Sequence, residues 1–294
     1  MTEPVFERLA IIGFGLIGSS VARVVRERGL AAHIVACDAS ESARQTIHKL
    51  GLADTVTFDV AEAATDADCV MIAVPVGQFE AIGQLVAPVL KKGAIVTDTG
   101  SVKEAVIRDL GPFIPEGVHF IPAHPIAGTE KSGPESGFAE LFTGRWCILT
   151  PPPGTDGASV DKVAALWSGM GSTIQIMTAT HHDKVLAITS HLPHLISYAI
   201  VGTATDLERH TKAEVIKFSA GGFRDFTRLA ASDPIMWRDI FLNNREAVLE
   251  MLQRLNEDIS ALQRAIRWGE GEVLEEMFTR TRTVRRSVVK AKQA

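Results

Sequence analysis

Two stretches of this chain carry residues whose types and spacing can do chemistry. The first is Gly13-Phe14-Gly15-Leu16-Ile17-Gly18, which follows the apolar run Ala10-Ile11-Ile12 and opens a segment of helical periodicity. In a strand–turn–helix context this GxGxxG string suits a dinucleotide. Gly13 permits the tight turn, Gly15 lets the backbone approach a pyrophosphate, and Gly18 lets the helix pack close to the strand. Leu16 and Ile17 then stand at a helix N-terminus, whose free N–H groups and positive dipole end favour phosphate. The second stretch is Ala123-His124-Pro125-Ile126-Ala127-Gly128. His124 is expected at the carboxyl end of a strand, where Pro and Gly stop the sheet and turn the side chain toward a cleft. An imidazole titrating at about pH 6–7 suits a base that takes a hydroxyl proton while hydride leaves the carbon.

Other residues gather around these two. The second apolar strand ends at Asp38, twenty positions after Gly18. A carboxylate there can accept both ribose hydroxyls and repels a 2′-phosphate, and Ala39 and Ser40 supply no arginine to hold one, so NAD is expected over NADP. Val74-Pro75 and Asp98-Thr99-Gly100-Ser101 end two further strands and should border the cofactor, because ligands of open parallel sheets sit beyond the strands' carboxyl ends. Ser101 also reads as a helix N-cap ahead of Glu104, and the two roles are compatible.

These residues need elements to position them. Between residues 8 and 150, short apolar runs (Leu9–Ile12, Ile34–Cys37, Val70–Val74, Ile95–Val96, Phe120–Ile121, Trp146–Leu149) alternate with helical patterns (Gly18–Arg28, Ser40–Leu50, Val76–Leu90, Lys103–Leu110). That alternation predicts an α/β Rossmann domain, a mostly parallel, doubly wound sheet with helices on both faces. A helix over Ser159–Met170 and a strand over Thr173–Met177 should complete it, giving a first domain of residues 1–178. Residues 179–294 read as all-helical, with patterns over 180–208, 211–219, 223–231, 234–266 and 270–290. These helices are apolar on more than one face, as with Leu186, Leu192, Ile240, Val248 and Ile259. A second copy of the chain is the simplest cover, so a homodimer through the helical domain is expected.

Composition narrows the function classes. A formal net charge of −5 gives no electrostatic reason to expect nucleic acid. The N-terminus has no signal-peptide pattern, and no apolar run is expected to reach the ~18–20 residues of a membrane span, so a cytoplasmic protein without a membrane partner is expected. Cys37, Cys69 and Cys147 lie far apart in apolar surroundings and read as buried, reduced thiols. The basic tail of Arg282, Arg285, Arg286, Lys290 and Lys292 reads as a solvated helix end.

Longer strings make a resemblance specific. Gly13–Gly18, Ser101, His124-Pro125-Ile126-Ala127-Gly128-Thr129-Glu130-Lys131-Ser132-Gly133, Ser190-His191-Leu192-Pro193-His194 and Gly221-Gly222-Phe223-Arg224-Asp225-Phe226-Thr227-Arg228 occur in that order. Together they resemble the prephenate/arogenate (cyclohexadienyl) dehydrogenase family of tyrosine biosynthesis, over essentially the whole chain and in its monofunctional form. The resemblance implies oxidation of a cyclohexadienol with loss of its ring carboxylate as carbon dioxide, and small-molecule substrates of the prephenate and arogenate type. It implies that His124 accepts the hydroxyl proton, that Ser101 orients the hydroxyl, and that Arg228 binds a substrate carboxylate with its bidentate fork. Asp225, one turn before Arg228, would steady that fork. His194, with Ser190 on the same helical face, His191 and Trp237 would line the substrate side. The His191–His194 region suggests no zinc site, because no carboxylate–His set completes one.

Two other readings stand beside it. A β-hydroxyacid-type NAD dehydrogenase shares the architecture but needs a catalytic lysine in the helical half, where the long helix offers only Lys184 near its start. An NAD-sensing module that binds a protein would need no His124–Ser101–Arg228 set.

Overall fold

The computed structural model describes residues 3–206, 214 and 217–290. The chain divides into two compact units, Met1–Arg245 and Glu246–Ala294.

The first unit opens with β1 (Phe6–Ile12), α1 (Leu16–Arg28), β2 (Ala31–Cys37), α2 (Glu41–Leu50), β3 (Thr55–Thr57), α3 (Val60–Ala64), β4 (Cys69–Ile72), α4 (Phe79–Val86), β5 (Ile95–Asp98), α5 (Lys103–Leu110) and β6 (His119–Ile121). The six strands are all parallel, in the order β3-β2-β1-β4-β5-β6. Successive residues of β1 enter opposite cores: Leu9 and Ile11 join one, Ala10 and Ile12 the other. That is why these strands read as unbroken apolar runs. The strand order reverses between β1 and β4, so a crevice opens beyond their carboxyl ends, where Gly13 and Val74 lie. The doubly wound parallel sheet expected from the sequence is present. β3 and α3, only 3 and 5 residues long, were too short to leave a period.

A second sheet was not foreseen. β7 (Ala123–Pro125), β8 (Trp146–Leu149) and β9 (Thr173–Ile176) form it in that order, with α6 (Gly157–Gly169) linking β8 to β9. β7 is antiparallel to β8, and β8 is parallel to β9. The chain leaves the first sheet at Pro122, which has no N–H for the ladder. Thr150 donates to the Pro122 carbonyl at 2.9 Å, and the Ala123 N–H goes to Asp98 Oδ1 at 3.1 Å. His124 therefore lies within a short strand of the second sheet, opposite Ile148, and not at the carboxyl end of a parallel strand.

The long helix expected over 180–208 appears as α7 (Ala179–Leu186), a π-helical turn (Ala187–His191) and α8 (Leu192–Thr205). Pro193 accounts for the π turn: it has no N–H for the Thr189 carbonyl, and its ring crowds that carbonyl. This continuous helix of 27 residues is long and apolar enough to cross a membrane by length and composition, with an 18-residue stretch of mean hydropathy 1.4. The expectation that no apolar run reaches that length overlooked how few charges interrupt it. His182, Asp183 and His191, all buried on this helix, bond within the first unit. The pattern over 211–219 lies largely outside the described residues. α9 (Gly221–Thr227) runs into a 3₁₀ turn (Arg228–Ala231), and α10 (Pro234–Asn243) is capped by Asp233. The single helix expected over 234–266 breaks at Asn244, whose side chain is drawn into the core by Asp183 and His191.

The second unit holds α11 (Arg245–Trp268, whose first residue belongs to the first unit) and α12 (Gly271–Lys290). Only Val248 and Ala265 of α11 are buried, and α12 has no buried residue among those described. Leu249, Ile259, Ile266, Trp268, Val273 and Phe278 are exposed. Arg282, Arg285 and Arg286 are exposed as well; the side chains of Lys290 and Lys292 lie outside the described residues.

Candidate active site

The glycine-rich turn is fixed by contact on two sides and left open on the third. Gly13 has φ +95°, and a Cβ there would sit 2.6 Å from the Ala73 carbonyl oxygen and 2.8 Å from Val74 Cγ1. A Cβ on Gly18 would sit 2.0 Å from the Gly13 oxygen. A Cβ on Gly15 would meet nothing within 4 Å. So Gly13 and Gly18 serve the packing of turn, strand and helix, while Gly15 faces free space at the N-terminus of α1, whose N–H groups no side chain caps. Leu16 is buried under this turn and Ile17 packs against the same core.

Asp38 closes the turn from β2. Its Oδ2 accepts from Phe14 N at 2.8 Å and its Oδ1 from Ser40 N at 2.8 Å. Each oxygen keeps a lone pair for a further donor. A cleft of about 330 Å³ lies beside them, lined by Phe14, Gly15, Asp38, Ser40 and Ala43. Ala39 and Ser40 supply no arginine, but one lies further along the chain. Arg44, one turn into α2, reaches back to the Asp38 and Ala39 carbonyls at 2.7 and 2.9 Å and pairs with Glu41. Its guanidinium is thus already committed to the backbone and a carboxylate.

Beyond β4, Val74 touches the glycine turn and Pro75 starts a 3₁₀ turn. Beyond β5, Ser101 is half-buried, and its hydroxyl bonds to none of the described residues. Ser101 does not cap α5. Asp183 of α7 does, with its two oxygens accepting from Lys103 N at 2.8 Å and Glu104 N at 2.9 Å. The Lys103 ammonium, fully buried, pairs with fully buried Asp98 and donates to the Ala123 carbonyl at 2.7 Å. Asp98 accepts in turn from Gly100 N at 2.7 Å and from Ala123 N. Burial pushes the Asp98 carboxyl up and the Lys103 ammonium down, and each opposes the other's shift by its charge. This ion pair ties the end of β5 to the residue before His124.

His124 is 9% exposed. Its Nδ1 lies 2.8 Å from His182 Nε2, and His182 Nδ1 lies 2.7 Å from Asp183 Oδ1. Burial holds the His124 imidazole well below the usual histidine range, with the neighbouring His182, Lys103 and His191 acting in the same direction. Its titration therefore lies below the 6–7 expected from sequence. Asn244 Nδ2 donates to the Asp183 carbonyl at 2.9 Å and lies 3.0 Å from His191 Nδ1. Burial lowers His191 to about 4. His191 meets the Trp237 ring edge-on at 6.1 Å, and Trp237 stacks on His194 at 3.6 Å. His194 Nδ1 bonds the Ser190 carbonyl at 2.9 Å. Burial lowers His194 as well, and the Arg228 charge adds to that shift. Arg228 itself lies 3.6 Å from Glu130 of the loop that follows His124.

Comparison with known proteins agrees with this geometry. Residues 21–176 match the family model described as prephenate dehydrogenase, nucleotide-binding domain, and residues 178–280 match prephenate dehydrogenase, dimerization domain. The chain belongs to the prephenate dehydrogenase family. It is 42% identical over 281 residues to a cyclohexadienyl dehydrogenase of Zymomonas mobilis, covering 96% of each chain. It is 32% identical to a prephenate dehydrogenase of Bacillus subtilis, covering 95% of this chain and 74% of that one. Its fold is similar to the crystal structure of prephenate dehydrogenase from Aquifex aeolicus in complex with hydroxyphenyl propionate and NAD+, with a TM-score of 0.89, 33% identity and coverage of 98% and 99%.

Within this family fold, many of the residues singled out from sequence gather in two groups. His124, His191, His194, Ser190 and Trp237 form one connected set through His182, Asp183 and Asn244. Gly13, Gly15, Gly18, Asp38 and Val74 form another around the glycine turn. Arg228 pairs with Glu130, while Asp225 is exposed and makes no ion pair with Arg228. Sequence reasoning missed His182, Asp183, Lys103 and its pairing with Asp98, and the partner role of Glu130. One signal was present for Lys103: a lysine in the first turn of a helix opposes the macrodipole and needs a local anion. The Lys184 of the β-hydroxyacid reading is exposed.

Proposed function

We propose that this chain is an NAD-dependent dehydrogenase that oxidises and decarboxylates cyclohexadienol acids of the prephenate and arogenate type, giving 4-hydroxyphenylpyruvate or tyrosine. The observation that carries this is the placement of His124. It is buried, anchored on one nitrogen, and tied through Ala123, Lys103 and Asp98 to the strand that borders the dinucleotide crevice.

The residues present fit NAD. Gly15 leaves space for the pyrophosphate against the N-terminus of α1, and Asp38 retains lone pairs for ribose hydroxyls beside an open cleft. Val74, Pro75 and Ser101 border the same crevice. When bound, NAD supplies the hydride acceptor. The protein's share is to orient the ring, move one proton and hold anions. His124 takes the hydroxyl proton as the carbinol hydrogen departs as hydride. The electron pair of the bond to the ring carboxylate then flows into the ring, carbon dioxide leaves, and the ring becomes aromatic. His124 returns its proton to the phenolate oxygen, so the protein ends as it began. Ser101, with its hydroxyl uncommitted, orients the reacting oxygen. Arg228 offers its fork to a substrate carboxylate, which competes with Glu130 for it. His194, backed by Trp237, and Ser190 and His191 line the substrate side, with Asp225 of α9 before Arg228.

By this reading residues 1–178 hold the dinucleotide and residues 179–294 supply the substrate wall and a homodimer interface. The exposed apolar residues of α11 and α12 support the dimer, since two helices with only Val248 and Ala265 buried need a partner surface. Light scattering at micromolar protein tests that part: a stable, active species of 31.7 kDa would contradict it. Reduced-cofactor formation with NAD and prephenate or arogenate, against simple β-hydroxyacids as controls, tests the reaction. Turnover only with the hydroxyacids would overturn the assignment.

A further inference from the structure

We propose that His182 and Asp183 are positioning residues that hold His124 in the one tautomer able to take the substrate's hydroxyl proton. This rests on the reading of His124 as the base, and one group near it has a fixed hydrogen-bonding sense. An ionised carboxylate can only accept. Both oxygens of Asp183 already accept from backbone N–H donors at the start of α5, Oδ1 from Lys103 N and Oδ2 from Glu104 N. His182 Nδ1, 2.7 Å from Asp183 Oδ1, must therefore carry the proton of that bond. A neutral imidazole protonated at Nδ1 has its lone pair at Nε2. His182 Nε2 lies 2.8 Å from His124 Nδ1, so His124 donates there, and its own lone pair is left on Nε2. That nitrogen bonds to none of the described residues.

The alternative is a protonated His182, which would donate to His124 and place a hydrogen on the working nitrogen. The surroundings disfavour it. His182 is fully buried, and burial together with the Lys103 ammonium lowers it, against Asp183 and Asp98, which raise it. The other titratable groups close by are His124 on β7 and His191 on the same helical run. Once His124 has accepted the proton, its imidazolium still donates from Nδ1 to His182 Nε2, with the Asp183 carboxylate behind that ring. Asp183 carries two duties, since it also caps α5, so its removal would disturb the fold as well as the tautomer. His182 is the cleaner handle.

The test uses the full-length enzyme saturated with NAD. Long-range nitrogen–proton NMR of ¹⁵N-histidine-labelled protein reads the tautomer directly, with the His124 signals assigned by their loss in His124→Asn. His182→Gln places an amide oxygen where it can accept from His124, and His182→Leu places none. The expected result is an Nδ1-protonated His124 in the wild type and in His182→Gln, lost in His182→Leu. His182→Leu should lower kcat by ~10²–10³-fold with KM nearly unchanged, and His182→Gln should recover at least about tenfold of that loss. A wild-type His124 protonated on Nε2 overturns the proposal whatever the substrate is. Equal losses in the two variants, with KM raised and Tm lowered, overturn it in favour of a packing role. A wild type with the expected tautomer but no turnover of either cyclohexadienol acid instead sinks the reading of His124 as the base.

Discussion

Replacing Lys103 by Met keeps the apolar stem of the side chain and removes the one cation buried beside Asp98. The pair is fully buried, so the variant leaves a carboxylate with Gly100 N and Ala123 N but no counter-charge. It also strips the Ala123 carbonyl of its ammonium donor. Breaking a buried pair from one side costs about 3–5 kcal/mol. For a unit of this size, at about 2–4 °C per kcal/mol, Tm should fall by roughly 6–20 °C. The variant's Asp98 carboxyl is raised further above its unfolded value. A carboxyl raised on folding stabilises at low pH and loses that contribution as pH rises above the unfolded value of 3.8, so the deficit should widen from there upward. Thermal and urea unfolding of the wild type, Asp98→Asn, Lys103→Met and the double variant measure this. The double variant should lose less than the sum of the singles by at least ~2 kcal/mol. A loss below ~1 kcal/mol in Lys103→Met, or additive singles, would refute the reasoning.

Three further predictions follow from the same geometry. His124→Asn should lower kcat by ~10²–10⁴-fold with KM nearly unchanged, and the wild-type kcat should fall only on the acid side of 6.5; a variant keeping a tenth of the activity removes His124 from the mechanism. His191, near 4 when folded and 6.5 when unfolded, binds its proton first in the unfolded chain. Stability should therefore drop as pH falls from 6.5 toward 4, by roughly 3 kcal/mol from this residue, and His191→Gln should flatten that slope in urea unfolding. Asp38→Ala should weaken NAD and narrow its advantage over NADP, read as kcat/KM for each cofactor; a wild type that already prefers NADP contradicts the role given to Asp38.

Much of this was legible because it rests on local rules. The glycine spacing, the buried strands and Asp38 at a strand end each follow from backbone geometry within a few residues, and the structure places them as that reasoning requires. His124 was legible as a residue but not as a place. Pro122 diverts the chain into a second sheet, and nothing in a three-residue strand announces its partner. The His182–Asp183 arm was invisible because its contacts span large separations: Asp183 reaches α5 across 80 positions and His182 reaches His124 across 58. Asp225 looked suited to steady Arg228 at helical spacing, yet Glu130, almost a hundred positions earlier, takes that contact. Asn244 broke a helix that periodicity ran straight through, because its amide serves two buried partners that only the fold brings close.

In the proposed function, this chain couples hydride transfer to NAD with loss of a ring carboxylate, using His124 as the base. The most direct test is the stoichiometry of a single incubation of purified protein with NAD and prephenate. Carbon dioxide, NADH and 4-hydroxyphenylpyruvate should form in equal amounts, with no net proton released by the chemistry, and His124→Asn should lose all three together. NADH without carbon dioxide, or an aromatic product that forms equally fast without NAD, would contradict it.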